Sequence, residues 1–287
     1  MDLSETEFSF FDTNGIRLHA AAAGPADGPL VILLHGFPEF WYGWRGQIPA
    51  LAAAGFRVLA PDQRGYNLSD KPAWPVGYRI ETLVKDVLGL IDAAGRERAF
   101  VVGHDWGGVV ALALAAVCPE RVEKLTVLNA SLPQIMRRAV LRDPRQAFMS
   151  LYILAFQFPR LPEALWRANG FRAGLRSLRA SSRPGTFSDA ELARYTAAWA
   201  QPGAQTAMLN WYRASLRFPF FVPDLRIKVP TRIFWGKDDA FLSRAAALET
   251  LRACTHAELS FLDTTHWVQH EAAGEVNRRL IEWLRAP

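Results

Sequence analysis

Six residues, Gly103-His104-Asp105-Trp106-Gly107-Gly108, constrain this chain more than any other stretch of it. They follow a short apolar run, Ala99-Phe100-Val101-Val102. They precede a small-residue segment, Val109 to Cys118, that reads as a helix. Strand, Gly-x-Asp-x-Gly, helix describes a sharp turn that lifts one side chain above the edge of a sheet. Here that side chain is a carboxylate and not a serine hydroxyl, which changes the chemistry to expect. An aspartate at such a place is also a favoured helix N-cap, so capping is the plainer alternative.

The turn sits in a chain that alternates strand and helix signals. Phe8–Asp12 and Arg17–Ala22 flank Asn14-Gly15, a strong hairpin turn. Leu30–Leu34, Arg57–Ala60, Ala99–Val102 and Leu125–Asn129 are apolar runs of the kind found in strands buried on both faces. Gln47–Ala54 and Ile80–Ala94 carry helical patterns between them. This order predicts a mostly parallel sheet covered by helices. From about Ser131 to Pro223 the strand signals stop, and a helical, arginine-rich stretch follows, broken by Pro133, Pro144, Pro159, Pro162, Pro184 and Pro202. Alternation resumes at Thr231–Trp235 and Ala257–Phe261 and closes with a helix over Glu275–Leu284. The expected organisation is an α/β core over 1–130, a helical cap over 131–225, and the rest of the core over 226–287.

Composition excludes several classes. No run approaches the roughly 18 apolar residues of a membrane span. The start, Met1 to Glu7, is acidic and polar, unlike a secretory signal. Two cysteines, Cys118 and Cys254, cannot build a disulfide framework, so a cytoplasmic location is the default. The net charge of +5 gathers in arginines of the middle segment, among them Arg137, Arg138, Arg142, Arg172 and Arg176. That pattern fits a solvated helical face; no nucleic-acid motif accompanies it. No histidines or cysteines recur at metal-ligand spacing.

Four stretches carry chemistry. His35-Gly36-Phe37-Pro38 follows the strand ending at Leu34. Asp105 comes next. Gly236-Lys237-Asp238-Asp239 follows the strand ending at Trp235, and His266 follows the strand ending near Leu262. Each lies just past the carboxyl end of an expected strand, where open α/β sheets place their ligands. A carboxylate is ionised at neutral pH and needs no base to attack a saturated carbon that bears a leaving group. His266 is then left to activate the water that releases the resulting ester, with Asp239 holding its ring. Backbone N–H groups of Phe37 and Trp106 are placed to hold the oxyanion. Asp238 competes with Asp239, and His270 with His266. His35 and His104 read as packing beside the site, and His19 and His256 as ordinary strand or surface residues.

His35-Gly36-Phe37-Pro38-Glu39-Phe40-Trp41, Asp62-Gln63-Arg64-Gly65-Tyr66-Asn67-Leu68-Ser69-Asp70-Lys71-Pro72 and the turn around Asp105 resemble the epoxide hydrolase and dehalogenase branch of the α/β-hydrolases. The resemblance runs from about residue 8 to the end. Asn67 stands where the family has glycine, at a place that calls for positive φ, which Asn tolerates second best. The resemblance implies an α/β-hydrolase fold with an inserted helical cap and no cofactor. It also implies two cap tyrosines, since Tyr152-Ile153-Leu154-Ala155-Phe156-Gln157 and Asn210-Trp211-Tyr212-Arg213 resemble the motifs that supply ring-opening tyrosines. An epoxide leaves as a strongly basic alkoxide and needs such an acid; a halide does not. Dehalogenation is the alternative on the same nucleophile. Trp106 is its support, since haloalkane dehalogenases place a tryptophan after the nucleophile to hold halide. Phe37, however, cannot donate a second bond from its side chain, and Trp106 stands where haloacid enzymes have a carboxylate-binding arginine; both departures count against it. A non-catalytic ligand-binding protein is the remote third reading.

The expected site is thus Asp105, Asp239, His266, Tyr152 and Tyr212, with Trp106, Phe37, Trp41 and Phe156 lining an apolar pocket. The expected partners are a small epoxide and water. Nucleic acid and membrane are not expected as partners, and a homodimer is left open.

Overall fold

A computed structural model describes residues 3–223 and 225–286. Met1, Asp2, Asp224 and Pro287, which the expected segments include, lie outside the described residues. The strands are β1 (Glu7–Thr13), β2 (Ile16–Ala23), β3 (Leu30–Leu34), β4 (Arg57–Pro61), β5 (Ala99–His104), β6 (Val122–Leu128), β7 (Thr231–Gly236) and β8 (Ala257–Leu262). Among the described residues they form one sheet in the order β1-β2-β4-β3-β5-β6-β7-β8. β1 and β2 make the antiparallel hairpin expected at Asn14-Gly15, and β2 joins β4 antiparallel. From β4 to β8 every pairing is parallel. β3 and β5 are buried along their whole length, which is why they read as unbroken apolar runs.

The helices are α1 (Ile48–Ala53), α2 (Ile80–Ala93), α3 (Trp106–Val117), α4 (Pro133–Arg142), α5 (Arg145–Met149), α6 (Tyr152–Ala155), α7 (Leu161–Ala180), α8 (Asp189–Trp199), α9 (Ala204–Arg217), α10 (Arg244–Ala253), α11 (Val268–Glu271) and α12 (Ala273–Arg285). α2 has an apolar stripe of Ile80, Leu83, Val84, Val87, Leu90 and Ile91 that faces the core. α3 has no polar face at all: Trp106 through Ala115 are buried, because the helix lies under the middle of the sheet.

α4 to α9 all fall between β6 and β7, the stretch expected as a cap. α8 opens with a capping box, in which Ser188 accepts from the Glu191 N–H and the Glu191 carboxylate accepts from the Ser188 N–H. α7 is interrupted at Ala168–Phe171, where Asn169, Gly170 and Phe171 take positive φ. Long-range bonds tie this segment to the loops of the core, three of them donated by its own aromatic side chains. The Trp199 indole donates to the Pro38 carbonyl at 2.6 Å and the Trp211 indole to the Arg64 carbonyl at 3.0 Å. The Tyr195 hydroxyl donates to Glu39 Oε1 at 2.6 Å.

Candidate active site

Asp105 stands between β5 and α3 with φ 50° and ψ −121°. A β-carbon residue held there stores strain of order 1–3 kcal/mol, which the packing around it must offset. The glycines make the turn possible. A Cβ on Gly107 would lie 2.0 Å from the Leu34 carbonyl oxygen, and one on Gly36 2.3 Å from the Asp105 Cβ. The Asp105 side chain makes no capping bond to α3, so the capping alternative fails on geometry. Its Oδ1 instead accepts from the Phe37 N–H at 2.8 Å. Trp106, the first residue of α3, supplies the next backbone N–H along the chain.

Five neighbouring strands deliver the rest in spatial order. Phe37 follows β3, Asp105 follows β5, Asn129 follows β6, Asp239 follows β7 and His266 follows β8. His266 Nε2 lies 3.7 Å from Asp105 Oδ2. His266 Nδ1 lies 2.8 Å from Asp239 Oδ2. Asp239 is held on both oxygens: Oδ1 accepts from the N–H groups of Phe241 at 2.7 Å and Leu242 at 3.0 Å, and Oδ2 also accepts from Asn129 Nδ2 at 2.5 Å. Asp238 is exposed and faces Arg183, 3.8 Å away. His270 turns from the site and meets Glu39 Oε1 at 2.7 Å.

Two cavities meet over Asp105. A larger one of about 440 Å³ is lined by Trp106, Val109, Met136, Ile153, Phe220 and Leu242, among others. A smaller one of about 220 Å³ is lined by Phe37, Met149, Phe156, Trp166, Leu178 and His266, among others. Asp105, Tyr152, Tyr212 and Phe241 line both. The Tyr152 and Tyr212 rings lie 5.9 Å apart, edge to face, and Phe37 packs on Tyr212 at 5.2 Å. Trp41, expected in the pocket, lines neither cavity. It opens a short 3-10 turn, Trp41–Trp44, that carries its ring away from the site onto Phe8 at 4.9 Å and Phe40 at 5.9 Å. Its N–H donates to Asp62 Oδ1 at 3.1 Å.

Comparison with known proteins bears on what this geometry belongs to. Residues 29–273 match the alpha/beta hydrolase fold family. An AB hydrolase superfamily protein, YfhM of Bacillus subtilis, is 50% identical over 96% of this chain and 97% of its own. Epoxide hydrolase A of Mycobacterium tuberculosis is 36% identical over 95% of both chains. The crystal structure of a Bacillus megaterium epoxide hydrolase in complex with an inhibitor superposes with a TM-score of 0.88 at 29% identity, covering 97% of this chain and 100% of that one. This chain belongs to the epoxide hydrolase branch of the α/β-hydrolase fold family.

For an epoxide hydrolase relative, the electrostatics of the site are informative. Burial alone would lower the His266 pKa, but Asp239, the hydrogen bond to it, and then Asp105 and Glu39 outweigh burial and raise it above its ordinary value. Burial would raise Asp239, but His266 and its hydrogen-bond donors hold it below the usual carboxylate range. Removal from water, and then the Asp105 charge, push the Tyr152 phenol up. Burial, Tyr152 and Asp105 push Tyr212 well up. Both tyrosines therefore stay protonated at neutral pH and can donate.

Several residues of this hydrolase site were not singled out from the sequence. Asn129 has φ 43°, donates to Asp239 and accepts from the Gly236 N–H at 3.1 Å. Its signal was a lone polar residue at the end of an apolar strand. Glu39 is buried under the site. It accepts from Gln269 Nε2 at 2.8 Å and lies 3.4 Å from His104 Nδ1. His104 Nε2 in turn donates to the His266 carbonyl at 2.9 Å. His35, read as packing, bonds the Gln63 N–H through Nε2 at 3.0 Å and so ties two loops together. His19 is a strand residue of β2, as expected, and is buried with its Nδ1 2.7 Å from Asp62. Asn67 takes φ 39° and donates to Asp62 Oδ2 at 2.8 Å.

Proposed function

We propose that this chain opens an apolar epoxide to a vicinal diol through a covalent alkyl ester on Asp105. The observation that carries the reading is a carboxylate, an imidazole and two phenols meeting in the smaller apolar cavity, with Asp239 bound to the imidazole behind it. Asp105 Oδ1 is engaged by the Phe37 N–H, which leaves Oδ2 as the attacking oxygen. Oδ2 displaces the ring oxygen from carbon. Tyr152 and Tyr212 hydrogen-bond that oxygen and protonate it as it becomes an alkoxide. Water then fits between His266 Nε2 and the ester carbonyl. His266 takes its proton, and the oxyanion forms on Oδ1 against the Phe37 N–H, aided by the Trp106 N–H. Collapse expels the diol oxygen, which takes the proton from His266, and the proton left on the regenerated Asp105 carboxyl returns to the tyrosinate. Asp239 stabilises the imidazolium in between.

Alkylation also tunes the base. Asp105 is one of the charges that raise His266. Esterification cancels that charge, so a larger share of the imidazole is neutral, and free to take a proton, at the moment water must be activated.

The test is a Tyr152→Phe/Tyr212→Phe double variant assayed on styrene-like and aliphatic epoxides. Diol formation should fall by about 10²-fold or more, since no general acid is left to protonate the alkoxide. Full activity in that variant would remove the tyrosines from the mechanism.

A further inference from the structure

Net charge is divided unevenly along the chain. Residues 131–225 hold thirteen arginines, no lysine and five carboxylates, a net +8; the remaining residues hold twenty basic and twenty-three acidic groups, a net −3. Three of the five carboxylates are already taken up by arginines of the same segment: Asp143 by Arg145 at 3.0 Å, Asp189 by Arg179, and buried Glu163 by Arg213 at 2.7 Å. Arg137, Arg138 and Arg160 are exposed and make no ion pair or side-chain hydrogen bond among the described residues.

The same segment exposes large apolar side chains close together in the sequence, along α5, α6 and the start of α7. Phe148, Leu151, Leu154, Phe158, Leu161 and Leu165 follow one another in three- and four-residue steps, and each is more than half exposed, from 54% at Leu151 to 74% at Phe148. Trp74, 75% exposed, faces Pro159, Arg160 and Ala164 across a surface cleft. Arg160 stands within the row. A soluble surface rarely carries so many adjacent apolar groups without a partner. Leucine, phenylalanine and tryptophan interleaved with arginine are the composition that settles at a charged lipid interface.

We propose that this row, from Phe148 to Leu165 with Trp74 beside it, docks the cap onto the surface of an anionic lipid bilayer. A second copy of the chain is a poor occupant, because symmetric pairing would set two strongly positive segments against each other. An anionic membrane matches both the apolar row and the charge, each nearby arginine adding attraction that salt screens. The contact is superficial: among the described residues no helix is long and apolar enough to cross a membrane. The arginines, expected from the sequence as a solvated face with no membrane partner, share their segment with these exposed leucines, a feature that spacing alone does not reveal. Exposed Leu216, Phe221 and Arg137 line the larger cavity, so its mouth lies in the same basic segment. Entry of an apolar substrate from lipid follows only if the proposed reaction holds; docking does not depend on it.

The experiment is flotation of the full chain with vesicles of phosphatidylcholine plus phosphatidylglycerol, and with phosphatidylcholine alone. Binding is expected on the anionic vesicles and should weaken as salt rises. A Phe158→Ser/Leu161→Gln/Leu165→Gln variant and an Arg160→Gln/Arg217→Gln variant, which changes two exposed arginines of the cleft beside Trp74, should each bind about tenfold or more weakly, with unchanged circular dichroism and melting. No binding to anionic vesicles at low salt overturns the proposal, as does equal binding by the variants. So does sedimentation showing a wild-type dimer that the apolar variant splits, since a second copy then covers the row.

Discussion

At the scale of single residues, the site rests on charges placed where solvent is excluded. His266 is raised by Asp239 against the pull of burial, and Asp105 adds to the effect. Only the neutral imidazole can take a proton from water, so ester decay should rise with pH through the His266 pKa and level off above it. Because the ester has lost the Asp105 charge, this limb should lie at lower pH than the titration of the same imidazole in the resting enzyme. NMR titration and the pH dependence of ester decay in single-turnover experiments give the two values; the reverse order would contradict the electrostatic account. Asp239→Asn removes the largest raising influence, lets burial prevail and disturbs the ring's tautomer. It should lower the limb and slow turnover by about 10²–10⁴-fold. The placement of Asp105, Asp239 and His266 was legible in the sequence because each lies just past the carboxyl end of a strand. Trp41 was misread because sequence proximity to His35-Gly36-Phe37-Pro38 does not reveal that a 3-10 turn swings its ring to the hairpin.

At the scale of elements, the parallel strands β3 and β5 to β8 act as a ruler that sets five residues of the candidate site side by side. The turn around Asp105 works only if β3 and α3 approach each other at backbone distance. Gly107→Ala would drive a methyl to 2.0 Å from the Leu34 carbonyl oxygen, an atom that cannot swing aside. We expect a loss of about 3 kcal/mol or more in urea unfolding, or no folded protein. A variant as stable as the parent would show that the turn tolerates a wider spacing. Asn129 extends the same logic: it bridges the ends of β6 and β7 by bonding both Gly236 and Asp239. Asn129→Ala should therefore loosen Asp239 and weaken turnover more than substrate affinity, seen as a fall in kcat with little change in KM. The strands themselves were legible, since buried parallel strands read as unbroken apolar runs. The partners of Asp239 were not, because backbone N–H groups of Phe241 and Leu242 leave no mark in side-chain chemistry.

At the scale of the whole molecule, the helices between β6 and β7 bring the tyrosines to a site built by the core. The join is polar and buried. Glu39 is drawn well below the usual carboxylate range: burial opposes this, but His270 and His104 outweigh it. Tyr195 of α8 closes on that charge. Tyr195→Phe leaves Glu39 with its core partners alone, and should cost about 1–3 kcal/mol in global stability. Hydrogen exchange should show faster opening of α8 than of the strands; uniform protection would place the join elsewhere. The alternation of strands around a helical insertion was plain in the sequence. The way that insertion folds back was not, because contacts such as Trp199 with Pro38 and Tyr195 with Glu39 join residues more than 150 positions apart. The central claim remains covalent. One turnover in ¹⁸O-labelled water, analysed by mass spectrometry of both product and protein, tests it most directly. The account predicts a first diol without the label and one heavy oxygen in the peptide that contains Asp105; label in that first diol, with an unlabelled peptide, would contradict it.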